Sequence, residues 1–155
     1  PLALFYEVTQ TQKALKTGII INGSDYDSTV KNIHASNSNG ALYIVGNSNA
    51  NLIQGGIGNN TLNGGGGNDT LTGSSGKDVF IYSSGDGKDI INSFADDDLL
   101  QITGDWSASY NASKNSIAFK VGSTASALTL KNFTATTFNI NGDAYAISGT
   151  KLVKQ

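Results

Sequence analysis

The fold is decided by four nine-residue units: GGIGNNTLN at 55–63, GGGGNDTLT at 64–72, GSSGKDVFI at 73–81 and, after two further residues, SGDGKDIIN at 84–92. Position four is glycine in every unit, and position eight is a large apolar residue. Position six is an acid or its amide: Asn60, Asp69, Asp78 and Asp89. A flexible linker has no reason to keep these positions in step. The repeat therefore predicts a solenoid of stacked units.

Each unit contains the parts of a cation-binding loop. Glycines at positions one, two and four permit backbone conformations that a β-carbon forbids, so the chain can close a tight loop with its carbonyl oxygens turned inward. The acid at position six adds a carboxylate, and Ca2+ prefers such oxygen ligands. The last three residues predict a short strand whose middle side chain points into the core, which neighbouring units complete by stacking.

The repeat continues more weakly upstream of these units. Gly46–Gln54 keeps an apolar residue at position eight, and Asn37–Val45 also keeps glycine at position four. Neither segment has an acid at position six. We interpret both as degenerate turns of the same solenoid.

The units resemble the RTX calcium-binding nonapeptide GGxGxDxUx, in which U is a large apolar residue, and Gly64–Thr72 meets every fixed position. The resemblance covers roughly residues 46–102, including an acidic stretch at 87–102 that is similar to the cap following such repeats. It implies an all-β fold: a right-handed parallel β-roll, or β-solenoid, with a C-terminal antiparallel β capping lobe. In that family, two units make one turn and Ca2+ lies between the loops of units n and n+2.

The resemblance therefore implies Ca2+ as the bound ion and a set of loop residues around it. These are Asn51, Gly55, Gly56, Gly58, Asn60, Gly64, Gly65, Gly67, Asp69, Gly73, Gly76, Asp78, Gly85, Gly87 and Asp89. The implied stacking pairs loop 64–69 with 84–89, loop 55–60 with 73–78, and loop 46–51 with 64–69. The first pair combines Asp69 with Asp89 and is expected to be the tightest site. The other pairs carry Asn60 or Asn51 in place of one carboxylate, which lowers the charge and the expected affinity.

Composition supports a cation as partner and excludes several other classes. Eight of the twelve acidic residues lie between Asp69 and Asp105, where only Lys77 and Lys88 offset them. Without arginine or a basic stripe, nucleic acid is excluded as a partner, and without cysteine there are neither disulfides nor thiolate metal sites. No apolar run is long enough to span a membrane. The chain contains no methionine and begins at Pro1, so we interpret it as part of a larger parent protein.

Further short strands are predicted after the repeats. They are separated by polar turns, and Asn141-Gly142-Asp143 predicts a tight hairpin between the last two. The predicted strands are Ser116–Val121, Ala127–Leu130, Phe138–Ile140 and Tyr145–Ile147.

The N-terminal segment Leu2–Thr17 fits two structures. Its apolar residues can form one face of a helix, but its aromatic and β-branched residues favour a strand. In either form we expect it to cap the roll, with Ile19–Ile21 beginning the first strand. The predicted parts are the N-terminal cap and first turns at 1–36, the roll and acidic cap at 37–102, and the C-terminal strands at 103–155.

No catalytic motif is present, so we expect no enzymatic activity from the chain. G-x-S-x-G, H-E-x-x-H and P-loop patterns are absent. His34 is the single histidine, and an ordinary strand histidine explains it better than a triad or a zinc site. The adjacent acids 96–98 are better explained as calcium ligands or a solvated cap than as a glycosidase pair.

Two functions remain open. RTX proteins typically leave the cell by type I secretion, so the resemblance implies a secreted or cell-surface bacterial protein whose roll folds on extracellular Ca2+ and supports secretion, stability and presentation of the parent. The alternative is a module that binds polysaccharide or a cell-surface glycan. Aromatic and cationic contacts would then come from Trp106, Tyr110, Lys114, Lys120 and Lys131. A lone tryptophan is more often simply part of a small core.

Overall fold

The computed structural model describes residues 5–7, 19–22, 31–35 and 38–155, which are almost entirely β-structure. A 3-10 turn at Ala112–Lys114 is the exception within these residues. The predicted all-β fold is confirmed. The strands are β1 Phe5–Glu7, β2 Ile19–Asn22, β3 Asn32–His34, β4 Leu42–Val45, β5 Leu52–Gln54, β6 Thr61–Asn63, β7 Thr70–Thr72, β8 Val79–Ser83, β9 Asp89–Asn92, β10 Leu99–Thr103, β11 Trp106–Asn111, β12 Ser116–Val121, β13 Thr124–Lys131, β14 Thr137–Ile140, β15 Asp143–Ser148 and β16 Lys151–Lys154.

The strands β1 to β10 alternate between two sheets, as the predicted β-roll requires. Within the described residues each sheet has eight strands. The odd-numbered strands β1 to β9 lie parallel in the first sheet, and the even-numbered strands β2 to β10 lie parallel in the second. Ile53 therefore pairs with Leu71, two units later, and Leu62 pairs with Phe80. Each pair of units makes one turn of the roll.

The position-eight side chains fill the space between the two sheets. Their neighbours on either side in each strand point outward and are only partly buried, which is the alternation that a strand imposes. The predicted core residues are confirmed, because each is at most 1 % exposed: Ile44, Ile53, Leu62, Leu71, Phe80 and Ile91.

The C-terminal strands continue the same two sheets. β13 pairs parallel with β9 and β14 pairs parallel with β10, so these strands add a further turn to the roll. The hairpins β11–β12 and β15–β16 then extend the two sheets with antiparallel strands. Phe94 stacks on Phe138 with ring centroids 6.1 Å apart, and this contact joins the repeat units to the C-terminal strands. A single hydrophobic cluster runs through both regions, and the three-part division of the chain stays a prediction.

For the C-terminal region, the sequence analysis predicted the turn between β14 and β15 but missed two strands. Ile140 pairs with Asp143 across Asn141 and Gly142, whose φ values of +52° and +87° confirm the predicted tight turn. The strands β11 and β16 were missed. In β11 the sequence WSASYN alternates partly buried and exposed side chains, a period of two that was the available signal.

The N-terminal segment is a strand over the residues described. β1 pairs parallel with β3, which makes it a rung of the first sheet rather than a separate cap. The rest of 2–17 lies outside the described residues. The predicted strand at Ile19–Ile21 is confirmed as part of β2, although β1 precedes it in the roll. In the part of the chain that the structure covers, no helix is long and apolar enough to cross a membrane.

Candidate calcium sites

The loops of the nine-residue units line two edges of the roll. Loop edge one consists of loops 46–51, 64–69 and 84–89, and loop edge two consists of loops 55–60, 73–78 and 93–98. Loop edge one carries Asn51, Gly64, Gly65, Gly67, Asp69, Gly85, Gly87 and Asp89. Loop edge two carries Gly55, Gly56, Gly58, Asn60, Gly73, Gly76 and Asp78. Loops on one edge lie on one another, as the bridge between Gly67 and Gly87 shows.

On loop edge one, the position-six residues of stacked loops are connected in series, because the backbone N–H of one donates to the side-chain oxygen of the next. We call this series a ladder. Asn51 N donates to Asp69 Oδ1 at 2.7 Å, and Asp69 N donates to Asp89 Oδ1 at 2.9 Å. All three residues are buried. The structure thus brings together the residues that the pairing of units n and n+2 required.

Loop edge two repeats this ladder and extends it to Asp98, which the sequence analysis left as either a calcium ligand or part of a solvated cap. Asn60 N donates to Asp78 Oδ1 at 2.7 Å, and Asp78 N donates to Asp98 Oδ1 at 2.9 Å. Asp98 follows Asp89 by nine residues, and Leu100 is the buried residue two places later. The nine-residue spacing was the sequence signal for a further unit. Segment 93–101 lacks glycines, however, and was therefore assigned to an acidic cap. It also forms a further unit of the roll, so Asp78 lies between two loops rather than at an end.

Two carboxylate oxygens are buried without a compensating donor. Asp69 Oδ2 and Asp78 Oδ2 have no hydrogen-bond partner among the described residues. Each faces the position-one glycine of its own loop, Gly64 or Gly73, so closely that a β-carbon would not fit there. A buried carboxylate without a partner costs free energy, and a cation bound at this point would offset that cost.

Backbone carbonyl oxygens provide the second group of potential ligands. Gly58 O lies 2.7 Å from the point where Gly76 would carry a β-carbon, and the φ of +115° at Gly76 also favours glycine. Gly67 O faces Gly87 in the same way on loop edge one. Among the described residues, no three acidic or histidine side chains converge to hold a metal by themselves. Ca2+ takes six to eight oxygen ligands, and backbone carbonyl oxygens are among the groups that it accepts.

The metal-free loops hold their acids in an unfavourable environment. Burial raises the pKa of Asp69 and Asp78 to about 6 and that of Asp89 to about 7. Burial also raises the pKa of Asp98. The charge of Asp86 raises the pKa of Asp69 and Asp89 further. A divalent cation stabilises the ionised form of all these groups, so both acid pairs fit Ca2+.

Other residues considered from the sequence lie outside these loops or have different roles. His34 Nδ1 lies 3.2 Å from Gln54 Oε1 on the outer face of the first sheet, as expected of an ordinary strand histidine. Asp96 Oδ1 accepts hydrogen bonds from Thr136 N at 2.6 Å and Thr137 N at 2.8 Å, so this acid anchors the start of β14. Trp106 is partly buried.

The fold and the loops together define a calcium-binding β-roll. Residues 45–80 match the family of the RTX calcium-binding nonapeptide repeat, in four copies. A search of curated proteins and of solved structures gave no match. Residues 45–80 are therefore RTX-type calcium-binding repeats, and the ion of such repeats is Ca2+. The individual ligands named above stay predictions.

Proposed function

We propose that the chain is a calcium-triggered folding module of a larger bacterial extracellular or cell-surface protein. In this role it supports the secretion, stability and presentation of its parent and catalyses no reaction itself. The observation that carries the proposal is the pair of buried oxygens, Asp69 Oδ2 and Asp78 Oδ2, which lack partners among the described residues. A cation bound beside these oxygens would offset the cost of burying them.

The energetics support a switch between an unfolded and a folded chain. An ion that binds only the folded state at a hundred times its Kd stabilises that state by about 2.7 kcal/mol per site. Two sites, at Asp69–Asp89 and Asp78–Asp98, would together contribute about 5 kcal/mol, which is as large as the whole stability of many domains. Millimolar extracellular Ca2+ therefore favours folding, whereas the low Ca2+ of the cytosol leaves the chain extended for export.

Far-ultraviolet circular dichroism of the full chain tests this proposal. We expect a strong strand signal in millimolar CaCl2, loss in EGTA of the part of that signal that comes from the calcium loops and their strands, and recovery when Ca2+ is restored. MgCl2 is expected not to restore it, because Mg2+ requires a small octahedral site and keeps its waters. A full, unchanged strand signal in EGTA would contradict the proposal.

A groove beside β11 and β12 favours a second function, the binding of a polysaccharide or cell-surface glycan. The groove has a volume of about 210 Å3 and is lined by Asp105, Trp106, Ser107, Lys120 and Gly122. A partly exposed aromatic side chain beside hydroxyl and charged groups suits a sugar, since an aromatic ring can stack on its apolar face and the polar groups can bind its hydroxyls. Tyr110 packs against Phe133, and we assign it to the core.

A glycan array probed in the presence of calcium tests this second function. Trp106→Ala is expected to abolish glycan binding while calcium affinity stays intact. Because Trp106 also packs against Phe119 and Tyr145, the exposed Lys120→Ala provides a variant that leaves the core unchanged. It should weaken binding, whereas Lys151→Ala, an exposed lysine outside the groove, should not. Equal binding by both lysine variants would contradict a site in this groove.

A further inference from the structure

Asn60 occupies position six of loop 55–60 and differs from the acids that follow it on loop edge two. Its side-chain nitrogen, Nδ2, lies within hydrogen-bond distance of four oxygens. Two are carbonyl oxygens of its own loop, Gly58 O at 2.6 Å and Gly56 O at 3.0 Å. The other two belong to the loop stacked on it, Asp78 Oδ1 at 3.0 Å and Gly73 O at 3.4 Å. A single donor group thus lies inside a ring of oxygens.

This nitrogen takes the place that the neighbouring acids fill with an oxygen. Asn60 Nδ2 lies 2.9 Å from the point where Gly55 would carry a β-carbon, and Asp69 Oδ2 and Asp78 Oδ2 face Gly64 and Gly73 in the same way. An acid adds an oxygen and a negative charge to the ring, whereas the amide adds two polarised hydrogens. Ca2+ requires oxygen ligands. In this orientation the residues around Asn60 therefore do not fit the ion.

Turning the amide around would not create a strong site. It would place Oδ1 against four other oxygens and break the hydrogen bonds of Nδ2. Only the carboxylate of Asp78 would then offer a formal charge, against two from Asp69 and Asp89 in the corresponding pair on loop edge one, and calcium affinity falls with ligand charge. The observed orientation keeps the ring satisfied and leaves Asn60 Oδ1 buried without a partner among the described residues.

The other asparagine at position six has the opposite orientation. Asn51 Oδ1 faces Gly46 and accepts a hydrogen bond from Asn47 N at 2.8 Å, whereas Asn51 Nδ2 lies 3.4 Å from Lys31 O. Residue type alone therefore does not set the orientation of the amide. At Asn60 it is set by the two carbonyl oxygens of its own loop and by the loop above.

We propose that Asn60 is a built-in substitute for Ca2+. Its amide nitrogen closes loops 55–60 and 73–78 on each other without a metal, which confines the ion on loop edge two to the Asp78–Asp98 pair. The proposal rests on the calcium-dependent function proposed above. In this role, Asn60 completes one pair of stacked loops before calcium binds. The remaining turns of the roll can then assemble on that pair.

Counting bound ions in the full chain at saturating calcium tests this proposal. Asn60→Asp replaces the donor by a carboxylate and is expected to bind one ion more than the wild type. Asn59→Asp makes the same change one residue earlier, at an exposed side chain whose Oδ1 accepts a hydrogen bond from Lys77 N at 2.9 Å, and is expected to bind the wild-type number. If the wild type binds calcium and Asn60→Asp binds the same number of ions as Asn59→Asp, the proposed role of Asn60 is overturned but the proposed function is not. A wild type that binds no calcium would overturn the proposed function as well.

A measurement on the unaltered chain keeps the test decisive if Asn60→Asp fails to fold. In the calcium-loaded protein, hydrogen exchange of the Asn60 side-chain NH2 can be followed by NMR and compared with that of the exposed Asn59. Hydrogen bonds inside a buried ring should slow exchange at Asn60 by at least about tenfold. Exchange at Asn60 as fast as at Asn59 would mean that the amide has left the ring, and would overturn the proposal.

Discussion

The loops of the roll and the C-terminal hairpins belong to the same two sheets but are stabilised in different ways. Between residues 46 and 98, the loop interiors contain backbone carbonyls and buried acids such as Asp69 and Asp78. Between residues 106 and 154, aromatic rings fill the interior. Trp106 lies 5.3 Å from Tyr145, measured between ring centroids, and Phe133 lies 5.2 Å from Phe138. Here Asp143 is on the surface, in an ion pair with Lys154.

This difference shows how one solenoid can combine two sources of stability. A nine-residue unit buries a single large side chain, which is too little apolar surface to fix its own loop. An ion bound between stacked loops can add the stability that such a unit lacks. The C-terminal hairpins instead pack aromatic side chains such as Trp106, Phe119 and Tyr145 together. The aromatic region closes the end of a roll that would otherwise expose strand edges.

Removing calcium is expected to separate the two regions most strongly. In EGTA, backbone hydrogen exchange should accelerate first and most in peptides from 46–98, because the buried acids there lose their counter-ion. Peptides from 106–154 should keep more of their protection. Mass spectrometry of the exchanged chain measures both regions in one sample. Faster exchange in the C-terminal peptides than in the loop peptides would reverse the comparison.

A pair of glycine substitutions should distinguish the regions by the space around the backbone. Gly76→Ala introduces a β-carbon 2.7 Å from Gly58 O at a φ of +115°, and we expect it to cost about 3 kcal/mol or more. Gly149→Ala, at a φ of +61° with no atom within 4 Å of the new carbon, should cost only about 1–2 kcal/mol. Urea unfolding in saturating calcium measures both changes. A similar loss in both variants would show that the stacked loops can relax.

Charge removal tests whether the interior acids of the two ladders are equivalent. Asp69→Asn and Asp78→Asn should each lower calcium affinity by at least about tenfold, since even groups that only support metal ligands have effects of this size. Asp89→Asn and Asp98→Asn remove the other carboxylate of each proposed pair, so each should lower calcium affinity to an extent similar to that of its partner. Asp143→Asn removes the same charge from the aromatic region and serves as the control. Calorimetry that found Asp69→Asn or Asp78→Asn silent would show that the pairing of units n and n+2 does not hold the ion.

The last comparison concerns the effect of pH on the stability of the metal-free chain. Folding raises the pKa of Asp69 and Asp78 to about 6 and that of Asp89 to about 7, from about 3.9 in an unfolded chain. The folded state therefore binds more protons, and metal-free stability should be greatest below pH 4 and decline as the pH rises to about 7. With calcium the trend should reverse over this range, because protons compete with the ion. Urea midpoints at several pH values, with EGTA or CaCl2, measure both trends, and parallel curves would contradict this expectation.

Some features of the molecule followed from the sequence alone. The nine-residue spacing predicted the stacked units and the buried position-eight residues, because loop geometry and side-chain alternation are local properties that each unit repeats. The resemblance to RTX repeats implied the parallel sheets and the stacking of Asp69 on Asp89. The hairpin turn at Asn141-Gly142 was likewise predictable, since it depends on two adjacent residues that tolerate positive φ.

Tertiary structure decided the features that depend on distant partners. Leu128 of β13 pairs with Asp89 of β9, although β10, β11 and β12 all lie between these two strands along the chain. The chain first runs to the far edge of the first sheet as β11 and returns through β12, so that β13 becomes the strand beside β9. The residues of β13 predicted a strand, but nothing in that short segment specifies its neighbour.

The acids show the same division between local and long-range causes. The sequence identified Asp69 and Asp78 from their units, but only the stacked loops showed that Asp98 belongs to the second ladder and that Asn60 turns a nitrogen into its ring of oxygens. The orientation of an amide depends on the atoms that surround it, and those atoms come from two loops at once. A periodic sequence determines the frame of the roll, whereas the contacts between its turns decide which loops are left for calcium to complete.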